Sequence, residues 1–417
     1  MMKKTLWTMA MIMTATTACS NDDAADEKVV DNSNNTLKTI TLTRSEEQLV
    51  TGNNDFAFNV FRKTLELLGS DKSQVLSPLS ITYALGMINN GAAGETRQQI
   101  NSTLGFAETG ADSINMFCHK MLTEAPTLDK LTKVLIANTI FMNSKYEINP
   151  TFQQTADKWY DANLQTRDFN DGQTLDAINR WASDHTEHMV QRVMSEQEFK
   201  KSAVSYLLNA IYFKGMWAEK FNKNNTRKET FHTYSGDKQL PMMHLTNDFR
   251  YAENDDCQML KLYYGNKAYA MTVMLPREGK TISDVLATLN SKSWQQSQWM
   301  RTLEVDVKMP RFESNSDVKL IDIMSALGMP NAFDKEIAEF PDFCNKPVYI
   351  EMMKQVARIK LDEEGTEAAA VTVIGMMETT AVAPPRRVEF HATRPFLYVI
   401  SEESTGTIFF IGQYMGD

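Results

Sequence analysis

The sequence predicts an α+β fold, on three observations. Helical spacing of apolar residues dominates the first half of the chain. Later segments change to short apolar or alternating runs that suit strands. The two kinds then mix irregularly, without the regular strand–helix alternation of a doubly wound parallel sheet. From Asp55 onward no low-complexity break, linker or fixed-period repeat interrupts the pattern, so residues 51–417 are expected to form one large domain. The 417 residues are 42% hydrophobic and 23% charged, which excludes a disordered chain or a multi-span membrane protein. A net charge of −10, with no basic tract, argues against a nucleic-acid partner, because phosphate neutralisation supplies most of that affinity.

The elements follow in order. Ala57 to Leu68 places Phe61, Leu65 and Leu68 on one helical stripe. In Ser77-Pro78-Leu79-Ser80, Ser77 suits an N-cap and Pro78 the first helical position, and Ile81, Ala84, Leu85 and Ile88 continue at helical spacing toward a stop at Gly91. Thr96 to Leu104 is a third helix, closed by Gly105. Val134–Phe141, Val204–Phe213, Ala268–Leu275 and Leu303–Met309 read as strands. Phe396–Ile400 and Thr407–Gly412 make a terminal hairpin around Ser404-Thr405-Gly406.

The first residues are an address. Lys3 and Lys4 precede an apolar stretch from Leu6 to Ala15, too short to span a bilayer of ~30 Å. Thr16-Thr17-Ala18-Cys19 resembles a bacterial lipobox, with Thr where Leu is usual; cleavage after residue 18 would leave Cys19 as the lipidated residue. Ser20-Asn21-Asp22-Asp23 resembles the export signal of Bacteroidetes surface lipoproteins. The expected location is therefore the cell surface or outer membrane, or the secreted fraction. Residues 19–50 are polar and read as a disordered acidic tether.

Catalytic sets are not evident. His185 and His188 sit three apart on an expected helix face without a third ligand, and Cys118, Cys257 and Cys344 are dispersed, so no metal site is expected. Gly91-Ala92-Ala93-Gly94 lacks the ending of a phosphate loop, and no nucleophile elbow occurs. No cofactor is expected.

One segment breaks the usual rules. Ala357, Ile359 and Leu361 alternate with Arg358 and Lys360 as in a half-buried strand, and Asp362-Glu363-Glu364-Gly365 then reads as a stop. Yet Thr366, Ala368, Ala370, Thr372 and Ile374 continue on one parity with Glu367 on the other, the pattern of a further strand. This latent strand leads into polar Glu378-Thr379-Thr380-Ala381 and then Pro384-Pro385. A segment that is both exposed loop and core strand would be metastable; an ordinary surface loop is the alternative.

Glu363-Glu364-Gly365-Thr366-Glu367-Ala368-Ala369-Ala370 resembles the proximal hinge of inhibitory serpins. So do Ser77-Pro78-Leu79-Ser80, Asn209-Ala210-Ile211-Tyr212-Phe213, Met309-Pro310-Arg311-Phe312 and Arg394-Pro395-Phe396-Leu397, across about residues 55–415. The resemblance implies a large central sheet, two smaller sheets, about eight or nine helices and an exposed reactive-centre loop. It implies a monomeric inhibitor, not an enzyme: a suicide substrate that traps a serine protease, with cysteine proteases as a further class, by inserting the cleaved loop into the sheet. The alternative is a non-inhibitory serpin acting as a binding or structural surface protein; an uncharged inward parity at the hinge favours inhibition.

By the family pattern Ser77, Ser80 and Asn209 form the shutter, with Gln355 where the family commonly has His. Trp217 covers the breach, where Arg311 and Glu363 are expected to pair. The scissile bond falls fourteen residues beyond Gly365, at Thr379–Thr380, with Glu378 or Met377 as alternatives. A small β-branched residue suits an elastase-like protease.

Overall fold

A computed structural model describes residues 35–107, 109–366 and 387–417. The folded body starts earlier than the sequence suggested. Helix α1 (Arg44–Leu68) begins well before Ala57: Thr43 accepts from the Glu46 backbone, and Glu46 reaches back to Thr43. Ile40, Leu49 and Val50 are buried, and Asn35 Nδ2 donates to Asp129 at 2.6 Å. The tether read over residues 19–50 is thus too long. Few apolar residues suffice there because capping and side-chain bonds hold the rest.

Eight further α-helices follow among the described residues: α2 (Pro78–Asn89), α3 (Gly94–Thr103), α4 (Ala111–Glu124), α5 (Pro150–Tyr160), α6 (Gln173–Asp184), α7 (Ile282–Thr288), α8 (Ser291–Ser297) and α9 (Ile321–Ala326). None of the described helices is long and apolar enough to cross a membrane. Ser77 caps α2 as expected, and all of α2 is buried, as befits a helix that is apolar all round. The helix carrying the histidines ends sooner than expected. Helix α6 stops at Asp184, His185 stacks on Trp181, and Glu187 and His188 turn the chain with positive φ.

The strands are β1 (Gln74–Leu76), β2 (Thr132–Asn143), β3 (Asn163–Arg167), β4 (Ser205–Met216), β5 (Arg227–Thr233), β6 (Gly236–Glu253), β7 (Cys257–Tyr264), β8 (Tyr269–Pro276), β9 (Arg301–Pro310), β10 (Phe312–Lys319), β11 (Lys354–Leu361), β12 (Gly365–Thr366), β13 (Val388–His391), β14 (Phe396–Glu402) and β15 (Ile408–Tyr414). They build a six-stranded sheet, β10-β11-β12-β4-β2-β3, and a nine-stranded one, β1-β15-β14-β8-β7-β6-β9-β13, with β5 on β6. The two smaller sheets implied by the resemblance are continuous here, because the long strand β6 pairs with β5, β7 and β9.

The core lies between the two sheets. Strands β8, β14 and β15 are buried along their whole length. Phe312 of β10 packs on Phe396, Tyr398 and Tyr414, joining the sheets at one corner. Helix α6 covers the outer face of β2 and β4 through Ile178 and Trp181 against Phe141, Tyr206 and Leu208.

Candidate functional site: the hinge and the strands around it

Strand β11 pairs with β10 over its full length and buries Gln355, Ala357, Ile359 and Leu361 on one face. The chain then reverses in a tight turn. Asp362 donates its backbone N–H to Gly365 O, and its side chain accepts from the Glu364 backbone, both at 2.9 Å. Gly365 is required at the exit: its φ is +153°, and a Cβ would stand 2.0 Å from Gly215 O.

Two residues then form a strand. Thr366 lies opposite both Leu361 of β11 and Gly215 of β4, and Gly365 lies opposite Met216. Strand β12 is antiparallel to both neighbours, so β11 and β4 run parallel, joined at their top by this wedge. Below it, Ser80, Ile81 and Ala84 of α2 floor the gap, with Leu207 on one side and Met353 and Gln355 on the other. Thr366 heads the uncharged parity of the latent strand, which the resemblance has inserting only after cleavage, yet it is already seated: it is 0% exposed, and its hydroxyl lies 2.7 Å from that of Tyr264.

The turn is held from all sides. Trp217 Nε1 donates to Asp362 O at 2.9 Å, Trp217 N to Glu364 O at 2.8 Å, and Phe221 N to Glu363 O at 3.0 Å. The Glu363 side chain is 1% exposed and accepts from Arg311 Nη2 at 2.5 Å and from the Thr226 hydroxyl at 2.6 Å. Glu364 pairs with Lys220 at 2.7 Å and Lys223 at 3.1 Å. Lys220, Lys223, Thr226 and Tyr264 were not found in the sequence. The two lysines closely follow Trp217, a weak signal; Tyr264 lies in the other sheet and gave none.

Burial pushes the Glu363 carboxyl up, but the bonds from Arg311 and Thr226 more than reverse this and leave its pKa below the usual 4.5. Glu364 is likewise held down, by Lys220 and Lys223 against burial. A depressed folded-state value means the stabilisation is complete above the ordinary carboxylate pKa and is lost as pH falls through the folded one. Amide exchange of the 362–366 turn should therefore be flat from about pH 8 to 5, after correction for its intrinsic pH dependence, and should rise below about pH 4.5. Replacing both carboxylates by amides, Glu363→Gln with Glu364→Gln, should remove that acid-dependent rise.

Lower in the gap, the Gln355 side-chain amide makes two hydrogen bonds to the Ser77 backbone: its Oε1 accepts from Ser77 N at 2.8 Å and its Nε2 donates to Ser77 O at 2.9 Å. Ser77 Oγ donates to Phe409 O, and the backbone of buried Ser80 donates to Ser77 Oγ. The backbone of Asn209 pairs with Asn138 in β2; its side chain lies outside the described residues. Gln355→Ala would strand a buried N–H, at about 1–3 kcal/mol. At about 1 °C per kcal/mol for a chain of this length, the unfolding temperature should drop by about 1–3 °C in calorimetry. An unchanged value would show that these two hydrogen bonds contribute nothing.

Glu367, Ala368, Ala369 and Ala370 of the hinge, Met377, Glu378, Thr379 and Thr380 of the loop, and Cys19 lie outside the described residues. Cys118, Cys257 and Cys344 are buried free thiols. Among the described residues no group of three or more His, Cys, Asp or Glu is placed to hold a metal.

Comparison with known proteins agrees in its extent and its fold. The family model described as "Serpin (serine protease inhibitor)" matches residues 51–416. Human antithrombin-III is 30% identical over 94% of this chain and 85% of its own, and serpin B6 of Macaca fascicularis is 30% identical over 88% and 98%. Among solved structures, the native thermophilic serpin tengpin superposes with a TM-score of 0.82 at 24% identity, covering 92% of this chain and 97% of its own. Human thyroxine-binding globulin, complexed with thyroxine, gives 0.80 at 26% identity, covering 88% and 98%.

Proposed function

The chain belongs to the serpin family, and on that premise we propose that it is a protease inhibitor that works as a suicide substrate. One observation carries the reading: the hinge residues Gly365 and Thr366 already form a strand between β11 and β4. Each further pair of residues that follows them in antiparallel register points one more side chain inward. Continuing that register sets position 368 between Ile359 and Phe213, 370 between Ala357 and Ile211, and 372 between Gln355 and Asn209. Ala368 is small where Phe213 and Ile359 already fill the space, Ala370 is small beside Ile211, and no inward position from 366 to 376 is charged.

In this mechanism the protease serine attacks the carbonyl carbon of Thr379. An ester forms, the peptide bond breaks, and the Thr380 nitrogen leaves carrying a proton. The freed hinge then runs down between β11 and β4 and carries the acyl-enzyme with it. Roughly a dozen new ladder bonds at ~0.5–1.5 kcal/mol each drive this step, which competes with ester hydrolysis.

The preferred target is an elastase-like serine protease, and the acting form is a monomer. Cys19 anchors it through lipid at the surface of a Bacteroidetes-like bacterium, with residues 1–18 removed as a signal peptide. Incubation with pancreatic elastase should give an SDS-stable adduct, and N-terminal sequencing of the released peptide should begin at Thr380. A non-inhibitory binding role is the second reading, and clean cleavage without an adduct would favour it.

A further inference from the structure

Tyr264 belongs to the nine-stranded sheet, yet its side chain ends at the hinge of the six-stranded one. Its ring stacks on Trp217 with centroids 4.5 Å apart and 14° between planes, and it meets the edge of Phe213 at 5.0 Å. It reaches that far because Gly215 has no side chain; a Cβ there would stand 2.7 Å from Tyr264 Cδ1. The backbone around it is fastened to the end of β4: Gly265 N donates to Met216 O and Ala218 N to Tyr263 O, each at 2.8 Å. The ring is thus a fixed post, and its hydroxyl holds Thr366.

Side chains alternate between the two faces of a strand, so a slip of one residue would move the whole inward set outward. In this hinge a slip would bring Glu367 inward in place of Thr366. We propose that Tyr264 is a positioning residue that sets the register of strand insertion, through its bond to Thr366. The hinge enters with its uncharged parity facing inward because Thr366 is pinned before cleavage. Gly365 lets the backbone approach, and Tyr264 decides which residue faces the core. The proposal rests on the insertion mechanism above.

Tyr264→Phe keeps the stacked ring and removes the hydroxyl; Thr366→Val removes the other half of the bond at nearly the same volume. In each variant we expect faster amide exchange at Gly365 and Thr366 in the intact protein. We also expect the number of inhibitor molecules consumed per protease trapped to rise by about threefold to tenfold, the scale of one hydrogen bond. The rate of loop cleavage should not change, and the double variant should be no worse than either single one, since all three remove the same bond. A merely structural role would lower the unfolding temperature without changing that stoichiometry.

Unchanged stoichiometry in both single variants, or additive effects in the double variant, would overturn the proposal. If the wild-type protein forms no adduct, the inhibitory reading fails by itself. The pin is then judged on hinge exchange alone: faster exchange in Tyr264→Phe supports it, and unchanged exchange overturns it.

Discussion

Thr366→Arg is expected to turn the protein from an inhibitor into a substrate. Thr366 is fully buried between β11 and β4, with a tyrosine hydroxyl as its side-chain partner and the Gly215 backbone beside it. A guanidinium placed there must give up its water against an aromatic wall, at several kcal/mol, or stay outside and unzip β12. The second course costs less, because only two residues of pairing are lost. Insertion then starts from an open hinge with a charge at its first inward position. The loop itself is untouched, so a protease should cleave it at the normal rate. The adduct should vanish on SDS gels while the cleaved band remains. Full trapping by the variant would mean that insertion does not pass through the site of Thr366.

Glu363→Lys is expected to convert monomer into polymer on mild heating. The wild-type carboxylate is buried while its partner Arg311 is 46% exposed, so this is more than a surface pair. Lysine at this site would leave an ammonium beside the Arg311 guanidinium, in a place that Thr226 also lines. Breaking a buried pair costs about 3–5 kcal/mol, and the exposure of Arg311 puts the effect toward the lower end. The consequence is mainly kinetic. The Glu363 turn and the segment after β4 must part before the sheet can accept another strand; they are joined through Phe221, Trp217 and the Thr226 hydroxyl on the Glu363 carboxylate, which Arg311 holds in place. An opened gap presents two unpaired strand edges, which another molecule's loop can fill. After incubation at about 45 °C, near the lower end of mesophilic unfolding temperatures, native gels should show ladders for the variant and monomer for the wild type. Combining Arg311→Glu with Glu363→Arg should restore most of the monomer. Equal polymer yields from wild type and Glu363→Lys would contradict the latch.

Much of this architecture could be read from the sequence where one face is apolar and the other polar. Strands β2, β4, β8 and β9 and the terminal hairpin lie within a few residues of where their apolar runs placed them. Strand β10 escaped notice because two of its four inward residues are serines: Ser314 and Ser316 are buried, and Ser316 accepts from Val75 N, so polar bonding hides the alternation. Strand β6 was hidden because it changes partners along its length, and its sides do not face one core throughout. At the candidate site, Trp217, Glu363 and Arg311 could be named from the family pattern; Glu363 and Arg311 pair, and Trp217 binds the backbone on either side of Glu363. That Thr366 is already seated could not be read, because it depends on Tyr264, which lies 102 residues away in another sheet. The N-terminal boundary was misplaced for a related reason: the capping box at Thr43 looks in sequence like more polar tether.

The central claim is that the loop, once cut, becomes a strand of the six-stranded sheet. Calorimetry of the intact protein and of the same protein cleaved in its loop by a protease it does not trap tests this most directly. About a dozen added ladder bonds, at about 1 °C per kcal/mol in a chain of this length, predict an unfolding temperature higher by on the order of 10 °C after cleavage. An unfolding temperature that stays the same or falls would contradict it.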